Sequence, residues 1–506
     1  MGSGSTLTTG SVSLIGAGPG DPGLLTLNAA RALRDADVLL YDALAADAVV
    51  ALAPAACEKI FVGKRGGNHT MPQDRIEALM IERARDGKRV ARLKGGDPFV
   101  LGRGGEEAQA LRDAGIPFEI VPGISSAIAA PAYAGIPVTH RESNASFTVA
   151  TGHEDPTKPE SMLDWSKLAD PHRTLILLMA MANLETIARR LCEHGLDAQT
   201  PVAVVQDGTR PSQRTVVGTL ATIASDVARE KLEAPAVVVI GEVVALRERL
   251  AWFDNTPLFG KRVLITRPVH QGGGLAQALY RRGAQPIFAP TIAIAPADPA
   301  PIDGALEALD TFDWVVFTSR NGVDAVFDRL DARSRDARAF GKACVAVIGP
   351  RTAAALQARG VRADLMPREY VGDAVAAELI AATAPNDRVA IFQAADAPDT
   401  ISRLLTQAGR ANEVVAAYTT TSVASPDLAH DVARADILTF ASASAVVGFA
   451  LGLGSALRGA TAGKLVACIG PITAQAAREA GLHVDAIALE YTSDGLLDAV
   501  EEHLSR

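Results

Sequence analysis

Short apolar runs that end on a glycine-bearing turn and lead into a helix-length stretch recur along the chain, and that rhythm confines it to layered α/β folds. The first such run is 12–15, followed by the loop Gly16-Ala17-Gly18-Pro19-Gly20-Asp21, a helical stretch at 24–34 and a strand at 38–40. A helix at 73–86, a strand at 89–93, a helix at 105–113 and a β-rich segment at 116–121 follow, ending on the Pro122-Gly123 turn. Ligands in such folds gather where strands give way to helices.

At 506 residues the chain exceeds one ordinary core. After Ser143 the pattern restarts, with elements at 174–179, 184–193, 202–205 and 236–240. This implies two lobes, about 11–142 and 143–253, with a ligand cleft between them. Residues 252–257 read as a junction, and 261–266 begin a new α/β pattern followed by a helix near 275–282. The second half echoes itself. Val345-Ala346-Val347-Ile348-Gly349-Pro350 returns as Val466-Ala467-Cys468-Ile469-Gly470-Pro471, and Val315-Val316-Phe317-Thr318-Ser319 as Ile437-Leu438-Thr439-Phe440-Ala441-Ser442. Two related lobes facing a cleft explain both echoes, with small hydroxyl residues capping helices and presenting N–H groups to anions.

A formal net charge of −9 argues against a general nucleic-acid surface, although a local Arg/Lys cleft remains compatible with an acidic ligand. Cys57, Cys192, Cys344 and Cys468 lie far apart without metal-site spacing, so a reduced protein without a structural metal is expected. Residues 1–10 lack the basic segment and apolar run of a secretion signal, and 174–182 is too short to span a bilayer. A cytoplasmic chain without a membrane partner is the expectation.

The loop at 16–21 suits close approach by a small ligand. Asp21 stands where a dinucleotide fingerprint carries its last glycine, and a carboxylate there repels pyrophosphate, which disfavours NAD. A second loop, Lys94-Gly95-Gly96-Asp97-Pro98-Phe99-Val100, follows the strand ending at Leu93 and could admit an adenosyl group.

These loops, with Gly63-Lys64-Arg65, Gly102-Arg103-Gly104-Gly105-Glu106-Glu107, Pro131-Ala132-Tyr133-Ala134-Gly135-Ile136-Pro137, Thr139-His140-Arg141 and Gly241-Glu242-Val243-Val244, make residues 11–253 resemble uroporphyrinogen-III C-methyltransferases. The resemblance implies a two-lobed tetrapyrrole methylase fold, normally a homodimer. It also implies S-adenosyl-L-methionine contacts at Pro19, Gly95, Gly96, Asp97, Val100, Ser125, Ser126, Met179 and Gly208. Asp42 is nominated as proton acceptor and Lys64 as proton donor. The implied substrate, uroporphyrinogen III, is an octacarboxylate, for which Arg65, Arg103, His140, Arg141, Arg210 and Arg214 are candidate partners. Leu178-Met179-Ala180 departs from the family's aromatic-Met-Gly sequence.

Residues 260–506 resemble uroporphyrinogen-III synthases through Val263-Leu264-Ile265-Thr266-Arg267-Pro268, Phe317-Thr318-Ser319-Arg320-Asn321-Gly322-Val323 and the two Gly-Pro turns. The implied fold has one lobe at about 260–294 plus 422–506 and another at 297–418, and it needs no cofactor. The implied reaction closes hydroxymethylbilane into uroporphyrinogen III. Tyr418 matches a family position that assists loss of the hydroxyl, and Thr318, Ser319, Thr352, Ser442 and Thr473 are candidate carboxylate donors. The stretch 391–399 lacks the family's Arg-Gly and later basic residue, which motivates the alternative that the second half binds tetrapyrrole or stabilises assembly without catalysis. A second alternative has the first half methylating a later corrin intermediate.

Overall fold

The computed structural model describes residues 10–63, 71–154, 162–423, 425 and 427–506. They divide into two compact units. The first comprises the described residues up to Val263 with Gly273–Ile287 and Val500–Arg506; the second comprises Leu264–Gly272 and Phe288–Ala499.

In the first unit, five parallel strands lie in the order Glu58–Phe61, Val38–Tyr41, Arg89–Lys94, Ser11–Gly16 and Phe118–Val121. Side chains alternate across a strand, and both faces of this sheet are covered. Val12, Leu14, Val38 and Leu40 pack with Met80 and Leu111 on one face. Ile15, Leu39 and Leu93 pack with Leu33 and Val49 on the other. That double burial explains the near-continuous apolar runs in the sequence.

The helix expected at 24–34 is two pieces. Asp21 caps the short turn Pro22–Leu24, and Thr26 caps Leu27–Arg34 by accepting from Ala29 N at 3.2 Å, so two side-chain caps divide one apolar stretch. A second sheet, ordered Phe147–Thr151, Thr174–Leu178, Ala236–Ile240, Pro201–Gln206 and Arg214–Thr219, is parallel only at its first pair. Helix Ser126–Tyr133 joins the two layers. Its first residue abuts the turn at Gly96, while Ala127 and Ala130 pack among Ile176, Ala203, Val205 and Val237 beneath the second sheet. The 252–261 segment is bonded into this unit: Thr256 Oγ1 donates to the Arg282 carbonyl at 2.8 Å, and Gly260 N to that of Gly283 at 2.9 Å.

In the second unit, one sheet runs Ile292–Pro296, Ala411–Ser422, Arg388–Ala394, Trp314–Phe317 and Cys344–Val347, antiparallel only at its first pair. Ile437–Phe440, Leu465–Cys468 and Ala486–Ile487 pair in parallel elsewhere. Thr439 Oγ1 donates to the Leu264 carbonyl at 2.6 Å, and Thr266 Oγ1 donates to that of Thr439 at 3.0 Å. The sequence echo is structural. Asp364 accepts from Val345 N at 2.7 Å just as Asp485 accepts from Val466 N at 2.8 Å.

The stretch Ala443–Thr461 is the one helical segment among the described residues long and apolar enough to cross a membrane. Its Ala445, Val446, Gly448, Phe449 and Leu453 are buried in the protein.

Candidate functional site

The turns after Ser11–Gly16 and Arg89–Lys94 are locked together. Gly18 N donates to the Gly96 carbonyl at 3.1 Å and Gly96 N to that of Gly18 at 2.8 Å. The Pro122-Gly123 turn presses on both, since a Cβ on Gly123 would lie 2.2 Å from Gly96 O and 2.7 Å from Gly16 Cα. Only glycine permits such backbone approach. The Asp97 carboxylate fixes the arrangement by accepting from Gly123 N at 3.0 Å and Phe99 N at 2.8 Å. Ser125 caps the next helix by accepting from Ala127 N at 3.3 Å, placing Ser126 at its first turn. Gly208 closes on that helix, where a Cβ would come within 2.3 Å of the Ala130 Cβ.

Strain collects on the same loops. Leu101, Arg103, Met179, Asp207 and Thr209 all hold positive φ, between 50° and 73°, without being glycine. Such conformations cost about 1–3 kcal/mol each and persist where surrounding structure fixes them. The strand expected to reach residue 179 stops at Leu178 because Met179 turns left-handed, with φ 58°, leaving its side chain about half exposed at the strand's carboxyl end.

Asp21 faces inward, away from the glycine loop. Its carboxylate accepts from Gly23 N at 2.7 Å and from the Tyr133 hydroxyl at 2.7 Å, and its N–H donates to Thr209 Oγ1 at 3.0 Å. Burial, then the Asp21 hydrogen bond and charge, push the Tyr133 phenol well above its ordinary value. This network bolts the loop at 16–21 to the loop at 207–213, where Gln213 accepts from Thr209 N at 2.9 Å.

Asp42 ends the strand Val38–Tyr41 in a partly open position. Its Oδ1 accepts from Leu44 N at 3.0 Å, and its Oδ2 lies 4.0 Å from Arg92 Nη1. Leu44 in turn covers Gly95. Behind Asp42, Arg92 and Lys94 are buried with the fully buried Glu107, whose Oε1 lies 3.2 Å from Arg92 Nε and 2.8 Å from Lys94 Nζ. Burial and the Arg92 charge outweigh Glu107 and lower the Lys94 pKa. Two cations thus share one carboxylate beneath Asp42.

Arg210 is brought to this site: it lies against Gly20 and donates from Nη2 to the Leu44 carbonyl at 2.9 Å. Arg214 is turned elsewhere, donating to the Glu230 carbonyl at 2.7 Å. Arg103 pairs with Glu106 at 2.5 Å. His140 belongs to a local turn closed by Asn144, and Arg141 is exposed beside it. Lys64 and Arg65 lie outside the described residues.

In the second unit, Ser319 and Ser442 cap helices Arg320–Ala332 and Ala443–Leu453, accepting from Gly322 N at 3.1 Å and Ala445 N at 3.2 Å. Thr318 Oγ1 donates to the Phe392 carbonyl at 3.4 Å. Thr352 and Thr473 are buried in the first turns after the two Gly-Pro corners. Tyr418 sits beside a bulge between Gln393 and Ala394, buried in the core cluster that also holds Phe317 and Phe392, and no described residue hydrogen-bonds its hydroxyl.

Comparison with known proteins bears on both units. The family model of tetrapyrrole (corrin/porphyrin) methylases matches residues 11–224, and that of uroporphyrinogen-III synthase HemD matches residues 274–498. The porphyrin biosynthesis protein HemD of Ruminiclostridium josui is 36% identical over 499 residues, covering 97% of this chain and 98% of that protein. The chain belongs to the family of fused tetrapyrrole methylases and uroporphyrinogen-III synthases. Its methylase region is also 54% identical to an S-adenosyl-L-methionine-dependent uroporphyrinogen III methyltransferase of Methanosarcina barkeri, over 48% of this chain and 94% of that one. A sirohaem synthase of Azotobacter vinelandii is 51% identical over 49% of this chain, which spans only 53% of that protein.

Both regions of the fusion match enzyme families and adopt α/β folds. Two features of the fusion escaped sequence reasoning. Glu107 appeared only inside a glycine motif, and its burial between two cations depends on helix Gly104–Asp113 bringing it against Arg92 and Lys94 of strand Arg89–Lys94. The synthase echo extends further, to Glu369-Tyr370 and Glu490-Tyr491. Tyr370 and Tyr491 each lie 3.2 Å from where a Cβ would stand on the preceding Gly-Pro glycine, Gly349 or Gly470, and that identical spacing was legible in the residues.

Proposed function

We propose that the methylase region transfers methyl groups from S-adenosyl-L-methionine to C2 and C7 of uroporphyrinogen III, giving precorrin-2, and that the synthase region cyclises hydroxymethylbilane to uroporphyrinogen III. The observation that carries the reading is the locked pair of glycine turns. Gly95 and Gly96 leave half-buried backbone beside the partly exposed Val100, a surface suited to an adenosyl group. Pro19, Gly95, Gly96, Asp97, Val100, Ser125, Ser126, Met179 and Gly208 are the proposed contacts. When bound, the donor supplies an activated methyl group, so the chain's task is alignment and charge management.

Asp42 accepts the proton that the pyrrole system releases after methylation, with Arg92 Nη1 4.0 Å from its carboxylate. Lys64 is the proposed proton donor. Arg210, held over Gly20, meets a substrate carboxylate at the cleft edge. Arg210→Ala is expected to raise the KM for uroporphyrinogen III about tenfold, while Arg214→Ala leaves it unchanged; equal KM effects in steady-state assays contradict this division. In the synthase region, Tyr418 assists departure of the bilane hydroxyl, and Thr318, Ser319, Thr352, Ser442 and Thr473 bind carboxylates with neighbouring N–H groups.

The proposed assembly is a homodimer through the methylase region, in the cytoplasm. Precorrin-2 serves sirohaem and cobalamin synthesis alike. The altered stretch 391–399 favours a second reading for the synthase region, binding without turnover. Anaerobic product analysis separates these readings, with hydroxymethylbilane and uroporphyrinogen III supplied singly, each with and without S-adenosyl-L-methionine. Precorrin-2 from both substrates supports the full proposal. Methylation of preformed uroporphyrinogen III alone assigns the synthase region to binding, and no methylated product from either rejects the methylase reading.

A further inference from the structure

Among the described residues, two arginines of the synthase region have no carboxylate partner. Arg267, partly buried after strand Arg262–Ile265, donates from Nη2 to the Ala441 carbonyl at 3.5 Å. Arg351, in the first turn of helix Pro350–Ala358, donates to Ser493 Oγ at 2.8 Å, where helix Ser493–Leu504 begins. Among the described residues neither guanidinium meets a carboxylate, whereas nearby Arg320 is paired with Asp324 at 3.3 Å. Burial and the Arg351 charge push Arg267 down to about 9, and burial with the Arg320 charge lowers Arg351.

Like charges gathered in a partly dry place are unfavourable until an anion joins them. Arg267 follows Thr266, which is bonded to the strand leading to the Ser442 cap; Arg351 follows the Gly349-Pro350 corner at the end of a strand in the other sheet. Both therefore stand beside helix starts whose N–H groups also favour anions. The 391–399 stretch offers no basic residue, so charge recognition has to come from other parts of the fold.

We propose that Arg267 and Arg351, one from each sheet, form a two-guanidinium clamp for carboxylates of the linear polycarboxylate pyrrole chain that the synthase region closes. The clamp rests on the synthase reading above. The test uses the full chain without S-adenosyl-L-methionine and follows hydroxymethylbilane cyclisation in the wild type, Arg267→Gln, Arg351→Gln and Arg267→Lys.

Each Gln variant is expected to raise KM about tenfold or more, with kcat changed by less than about threefold. Arg267→Lys keeps the charge but loses the fork, and falls between wild type and Arg267→Gln. Removing an unpaired charge leaves Tm unchanged or raised, a readout that a bracing role would move downward. A lowered Tm with unchanged KM makes these residues braces and overturns the clamp. Wild-type turnover with unchanged KM in both Gln variants overturns the clamp alone; a wild-type chain that leaves bilane uncyclised overturns the synthase reading and the clamp with it.

Discussion

Asp42→Asn is expected to lower uroporphyrinogen III methylation by about 10²–10⁴-fold, the usual contribution of a positioned general base. Bilane cyclisation should be untouched. The substitution is nearly isosteric, and the Asn Oδ1 can still accept from Leu44 N as Asp42 does at 3.0 Å, so the turn covering Gly95 keeps its shape. Only the charge is lost. Arg92 retains Glu107 at 3.2 Å, so the buried cluster keeps its own carboxylate. Single-turnover methylation with saturating donor isolates the chemical step. A folded Asn variant methylating at near the wild-type rate removes Asp42 from the mechanism.

Gly123→Ala acts through packing. Its new methyl group would lie 2.2 Å from Gly96 O, 2.7 Å from Gly16 Cα and 2.9 Å from Gly16 C, all backbone atoms of the two interlocked glycine turns. No side chain can yield. The turns must part, at about 1–3 kcal/mol of stability, and the misplaced donor is expected to slow methylation about 100-fold. Gly105→Ala is the matched control: it lies in helix Gly104–Asp113 with open space where its Cβ would stand. Thermal denaturation and donor titration should therefore show Gly105→Ala as neutral or stabilised and Gly123→Ala as impaired in both. Equal behaviour of the two variants contradicts the close-approach argument.

Local chemistry carried most of the legible fold. The double-sided burial of the first sheet wrote an apolar run into residues 38–40 and a largely apolar one into 12–15, while 89–93 carries Arg89 and Arg92 among its apolar residues, and strands formed at all three. Boundaries moved where a single residue overrode the pattern, as when Met179 ended a strand by turning left-handed and Thr26 restarted a helix. Asp21 shows the limit at the site. Its poor fit to a dinucleotide loop was readable, but its inward bonds to Tyr133 and Thr209 join residues more than a hundred positions apart. The same holds for Arg210 and Arg214, equal as sequence candidates and separated only by where the loop at 207–213 docks. The cations Arg92 and Lys94 beneath Asp42, and an Arg267 that meets no carboxylate among the described residues, became visible only through packing.

The most direct test is a crystal structure of the full chain with S-adenosylhomocysteine, the demethylated donor. The adenosyl group is expected against Gly95, Gly96 and Val100, its homocysteine portion near Pro19 and Ser125, and the sulfur facing the side of the cleft that holds Asp42. A ligand bound elsewhere, with Gly95, Gly96 and Val100 covered by protein, would contradict it.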